Sequence, residues 1–108
     1  MAEEKIFENK IKRLIEENDG WHVKFFANGF TKSGIPDILA CINGHFIGIE
    51  VKASHGKASE LQIHHCKEIR KAGGLAYIVY PSGYEKLKTV IENLKHEIFN
   101  INDTIVLK

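Results

Sequence analysis

Two hydrophobic periods alternate along the chain, and each change of period marks an element. Residues 2–18 place Phe7, Ile11, Leu14 and Ile15 at helical spacing, with Glu3 and Glu4 near the start and Asp19-Gly20 as the stop. This predicts an amphipathic helix with one buried stripe. Residues 21–27 (WHVKFFA) are aromatic and β-branched and predict a strand, followed by a loop over residues 28–34 (NGFTKSG). Residues 34–52 read GIPDILACINGHFIGIEVK, two apolar runs around Asn43-Gly44. Asn-Gly in that setting predicts a tight hairpin, because a type I′ turn needs positive φ at both central residues. After a polar loop at residues 53–58, Ser59-Glu60-Leu61-Gln62 fits a capping box that opens a helix to about residue 72, with Leu61, His65 and Ile69 on one face and Gly73-Gly74 as the stop. Residues 75–80 (LAYIVY) form a short continuous apolar run of the kind buried on both faces of a sheet. Pro81-Ser82-Gly83 breaks the chain, and Ser82 with Glu85 suggests a second capping box for a third helix built on Leu87, Val90, Ile91, Leu94 and Ile98. Asn102-Asp103 is a turn before an edge strand at residues 104–107.

The predicted order, α-β-β-β-α-β-α, makes the chain an α/β protein: a mixed central sheet flanked by helices on both faces, in a single domain over residues 1–108. The two-residue turn also sets a register. Ile42 faces His45, Cys41 faces Phe46, and the same sum carries Asp37 opposite Glu50. One hairpin face then carries Ile38, Ala40, Ile42, Ile47, Ile49 and Val51 and must be covered. The other brings two carboxylates together, with Lys52 on their side by the period-2 rule. Directly opposed like charges, with Cβ atoms about 5 Å apart, call for a compensating cation.

Composition changes this picture little. The 108 residues suit one domain with a modest core, and 44% hydrophobic content is ordinary. A net charge of +1 neither announces nor excludes a nucleic-acid partner, since a charged fraction of 27% leaves room for local basic surfaces. Cys41 and Cys66 are far apart and form no CxxC pair, so neither a zinc ribbon nor a disulfide framework is indicated. His64, His65 and Cys66 are neighbours on a helix, pointing about 100° apart, and do not read as one metal site. The first residues, MAEEKIFENK, contain no apolar signal core, and no run is long enough to span a bilayer. The expectation is a cytoplasmic protein.

Asp37 and Glu50 beside the Lys52 ammonium make an all-oxygen anionic site, a donor set that suits Mg²⁺ or Mn²⁺ and partners that bring phosphate oxygens. Glu8 lies at the edge of the first helix's apolar stripe and is a candidate to join them. Its bland alternative is an i,i+4 pair with Lys12, and Glu4 occupies nearly the same azimuth. Gln62 is accounted for by the capping box alone. The polar segments flanking the cluster offer Lys24, Lys32, Ser33, His55 and Lys57 as phosphate contacts.

The string GIPDILA, then Glu50-Val51-Lys52 after a hairpin, then Gln62 opening the next helix, resembles the PD-(D/E)XK nuclease superfamily, most closely its small VRR-NUC branch. The resemblance covers residues 8–80 in the family's element order. It implies a restriction-endonuclease-like α-β-β-β-α-β core with an extra C-terminal helix. It also implies a Mg²⁺-dependent DNA endonuclease in which Mn²⁺ substitutes. By position, Asp37 and Glu50 resemble the metal carboxylates, the Val51 carbonyl a further ligand and Lys52 the catalytic lysine. Glu8 resembles the first-helix acid that assists metal binding, and Gln62 the glutamine that faces the site. Small free-standing members act as homodimers on branched DNA, which makes cleavage of Holliday-junction-like DNA the implied activity, with no nucleotide cofactor. A nuclease of ordinary duplex or single-stranded ends and an inactive nucleic-acid-binding module on the same fold are the competing expectations. For a dimer interface the C-terminal helix and the last strand are the candidates.

Overall fold

Asn43 and Gly44 both adopt positive φ, 49° and 82°, and they fold the central stretch as a tight hairpin. The computed structural model describes residues 2–26, 33–97 and 103–108. The hairpin strands β2 (Ile38–Ile42) and β3 (His45–Val51) pair in the expected register, from Ile42 with His45 to Ile38 with Ile49. Strand β1 (Trp21–Lys24) adds antiparallel to β2, β4 (Leu75–Val79) adds parallel to β3, and β5 (Val106–Leu107) adds parallel to β4. The result is one five-stranded mixed sheet in the order β1-β2-β3-β4-β5.

Helices cover both faces. Helix α1 (Ala2–Glu17) and helix α3 (Tyr84–Lys95) contribute Phe7, Ile11, Leu14, Ile15, Leu87, Val90, Ile91 and Leu94 to a core. That core also holds the six hairpin residues expected to need cover, together with Tyr77 and Val79. Helix α2 (Glu60–Lys71) closes the opposite face over Ala76 and Ile78, so β4 is buried on both sides as its unbroken apolar run requires. Among the described residues no helix is long and apolar enough to cross a membrane.

Four local expectations are corrected. Strand β1 ends at Lys24, short of the expected span, with one further bond from the Phe25 N–H to the Asp37 carbonyl, and residue 27 lies outside the described residues. The buried face of α2 is Ile63, Cys66 and Ile69, while Leu61 is exposed. The Ser82 capping box does not form. Pro81–Gly83 makes a 3-10 turn, and α3 starts at Tyr84 with Gly83 at its cap and no side-chain cap bond. A Cβ on Gly83 would stand 2.2 Å from the Leu107 carbonyl oxygen, so the turn is set by close packing on β5. Strand β5 itself is two residues long. Ile98 and Asn102 lie outside the described residues.

The apolar stripe of α3 faces inward and is not free to pair with another chain. Exposed large apolar side chains lie elsewhere, at Ile6, Trp21, Val23, Phe26, Phe46 and Leu61.

Candidate active site

The site forms where the segment before β2 crosses the first turn of α2. Gly34 has φ +80°, and a Cβ there would come within 2.8 Å of the Leu61 carbonyl carbon, so only glycine lets the loop lie this close. Two residues on, the Pro36 ring occupies space above Gly48, whose absent side chain would have met it at 3.1 Å. Asp37 is thereby held against the end of β3. Its Oδ2 accepts the Val51 N–H at 3.0 Å, and its backbone carbonyl accepts the Phe25 N–H at 2.7 Å.

Glu50 is 4% exposed. Its Oε2 accepts a 2.9 Å bond from Gln62 Nε2 and lies 3.4 Å from Lys52 Nζ. The backbone of Lys52 is fixed by a 2.9 Å bond from its N–H to the Val79 carbonyl. Glu50 Oε1 is buried and has no hydrogen-bond partner among the described residues. Burial, reinforced by the charge of Asp37, pushes the Glu50 carboxyl up to about 7, against the pull of Lys52. Such an arrangement holds one carboxylate oxygen in place, leaves the other buried without a hydrogen-bond partner among the described residues, and resists ionisation.

Gln62 does both jobs that the sequence allowed it. Its Oε1 accepts the Ser59 N–H at 2.9 Å while Ser59 Oγ accepts the Gln62 N–H at 3.1 Å, completing the capping box, and its Nε2 remains to fix Glu50. The helix cap and the site share one side chain.

Glu8 is 3% exposed but sits apart from the pair. Its Oε1 is 2.7 Å from Lys24 Nζ, and its Oε2 is 2.9 Å from Lys12 and 3.4 Å from Lys5. Burial alone would raise its pKa, yet the bonds and charges of Lys24 and Lys12 outweigh it and hold the carboxyl down at about 2. Lys24 lies 3.7 Å from Asp37 Oδ1 as well, which makes it the link between Glu8 and the paired carboxylates. Among the described residues no three His, Cys, Asp or Glu side chains are grouped to hold one ion. The structure thus gathers Glu8 with lysines and not with Asp37 and Glu50, and the i,i+4 pairing with Lys12 that the sequence offered for Glu8 is formed. Val51 contributes its N–H to Asp37, which puts its peptide unit beside the pair.

Of the proposed phosphate contacts, Lys24 is engaged as described, and Ser33, His55 and Lys57 are exposed. Lys32 lies outside the described residues. His55 and Lys57 belong to the 53–58 loop, which is pinned by a 2.7 Å bond from the Tyr80 hydroxyl to the Gly56 carbonyl. Bonds from Ser54 N and Oγ to the Glu3 carboxylate, 2.9 and 2.5 Å, tie the same loop to α1. The bridging role of Lys24 and the gathering of Lys5 escaped the sequence reading. The alternation of β1 placed Lys24 opposite Trp21 and Val23, on the α1 side, and would have pointed to Glu8.

No protein-family model matches the chain, and no curated protein matches it.

Proposed function

We propose that the chain is a Mg²⁺-dependent DNA endonuclease, with Mn²⁺ able to substitute. In this reading it hydrolyses phosphodiester bonds in branched, Holliday-junction-like DNA as a homodimer on a restriction-endonuclease-like core. The observation that carries the reading is Glu50: a buried carboxylate beside a second carboxylate, with one oxygen fixed by Gln62 and Lys52 and the other without a partner. A buried acceptor left open in this way is costly unless a ligand completes it. The donor set, two carboxylates and a backbone carbonyl, fits a hard cation that keeps several waters.

Asp37 and Glu50 would hold the ion, with Val51 supplying its carbonyl. Bound there, it would polarise a phosphoryl oxygen and make a water a competent nucleophile. The chain's own residues do the remainder. The Val51 N–H orients Asp37, and Gln62 orients Glu50. Lys52, a compact charge 3.4 Å from Glu50, donates to the attacking oxygen or to the phosphoryl oxygens as negative charge builds on them. A binding module without turnover would have little reason to keep Glu50 buried and open beside Asp37.

A labelled panel of four-way junction, flap, nicked duplex and linear DNA, incubated with the wild-type chain in Mg²⁺ and in Mn²⁺, tests the substrate class. Paired symmetric cuts in the junction, lost in Asp37→Ala, support the proposal. Trimming of linear ends at the same rate as junctions would replace branched DNA by ordinary ends, and DNA binding without cleavage in either metal would leave a binding module.

A further inference from the structure

Glu8 presents two oxygens to three ammonium groups, from Lys24 at 2.7 Å, Lys12 at 2.9 Å and Lys5 at 3.4 Å. The carboxylate is almost fully buried, whereas the side chains of Lys12 and Lys24 are 20% and 21% exposed and that of Lys5 is 59% exposed. A buried anion is thus covered by a partly open layer of positive charge. Each ammonium carries three N–H donors and Glu8 takes one from each, so most of the donors are left for something else. Beside them lies an open recess of about 280 Å³ lined by Glu4, Lys5, Glu8 and Lys24. Two lysines and two carboxylates line the recess itself, and Lys12, which pairs with Glu8 from outside the lining, brings the cluster to three ammonium groups against two carboxylates. A dication entering this recess would face the Lys5 and Lys24 ammonium groups, with the Glu8 carboxylate already taken by them and by Lys12, while a phosphodiester would meet donors already held in place.

We infer that Lys5, Lys12 and Lys24, gathered round Glu8, form a binding site for a backbone phosphate of DNA, and that Glu8 holds these lysines rather than a metal ion. The site rests on the DNA-binding part of the function proposed above, and not on hydrolysis. Its place in the fold gives it a task. Lys24 reaches both Glu8 and, at 3.7 Å, Asp37, so a phosphate seated on the lysines lies close to the one presented to Asp37 and Glu50. It would fix the register of the strand being cut. Phosphate contacts of this kind set position without reading sequence.

Two measurements on the 108-residue chain test the site. The first is the affinity for a fluorescent four-way junction in EDTA across a salt series, comparing wild type with Lys5→Gln and Lys12→Gln. Each substitution is expected to weaken binding and to flatten the plot of log affinity against log salt by about 0.9, the value for one released counterion. The second is the rise in melting temperature on adding Mg²⁺ alone, expected in wild type and in Glu8→Gln and absent in Asp37→Asn. Wild-type salt slopes in both lysine variants would overturn the inference. So would a folded Glu8→Gln that has lost the Mg²⁺ response, since Glu8 would then be a metal ligand. Lys5 and Lys12 reach the surface, so their variants carry the test even where Glu8→Gln does not fold. A wild-type chain with no Mg²⁺ response and no cleavage would bring down the hydrolytic proposal, and the salt slopes in EDTA would still decide the phosphate site.

Discussion

Glu50 and Glu8 are both buried carboxylates, and their surroundings drive them in opposite directions. Glu50, raised to about 7 by burial and by Asp37, holds its proton more tightly folded than unfolded. Its contribution to stability is complete below the ordinary carboxylate value of 4.5 and is lost as the pH rises through about 7. In metal-free buffer the chain should therefore lose on the order of 1–3 kcal/mol of stability between pH 5 and pH 8, a loss that Glu50→Gln removes. Chemical denaturation at the two pH values reads this directly, and a pH-independent wild type would contradict it. Glu8, lowered to about 2, works the other way: its contribution is present above 4.5 and disappears as the pH falls toward 2. Neither shift could be foreseen from the sequence. Both depend on which oxygen atoms are covered and by what, and a pattern of residue types does not carry that.

At the scale of elements, the junction of the β2 approach with α2 decides whether the site exists. Gly34→Ala forces a Cβ into a left-handed backbone and against the Leu61 peptide. It should cost about 1–3 kcal/mol and displace the first turn of α2, with activity falling more than stability. Equal activity in a destabilised variant would show that the turn does not position the site. Gln62→Glu separates the two duties of that residue. A carboxylate can still accept the Ser59 N–H, so the cap survives, but it cannot donate to Glu50 and adds a like charge beside it. Near-wild-type helix content with Mg²⁺ affinity reduced about tenfold or more is the expected outcome, read by circular dichroism and calorimetry. The hairpin was fully legible, because Asn43-Gly44 fixes both turn and register. The buried face of α2 was not. Ile63, Cys66 and Ile69 are an apolar stripe at i, i+3 and i+6 that competes with Leu61, His65 and Ile69, and only the packing over Ala76 and Ile78 decides between the two faces. The Ser82 cap failed for a similar reason, since close packing of Gly83 against Leu107 fixes a 3-10 turn where local chemistry favoured a capping box.

For the whole molecule, the order of elements and the two-sided cover of the sheet followed from alternation of period, and the pair Asp37 and Glu50 followed from hairpin register. The position of Glu8 required the third dimension: its azimuth on α1 allowed it to look at the sheet, but only the placement of β1 beside β2 brings Lys24 between it and Asp37. A homodimer is part of the proposed function, and sedimentation equilibrium should give a mass of about 25 kDa, twice the 12.3 kDa of one chain. A monomer at all concentrations would remove paired junction cutting from the proposal. The most direct test of the central claim, that Asp37, Glu50 and Lys52 form a hydrolytic centre, is the single-turnover rate of four-way junction cleavage in saturating Mg²⁺ for wild type and Lys52→Ala. The account predicts a rate at least about 100-fold lower in the variant, the scale of one lost charge-stabilising donor, with junction affinity little changed. Cleavage by Lys52→Ala at the wild-type rate would contradict it.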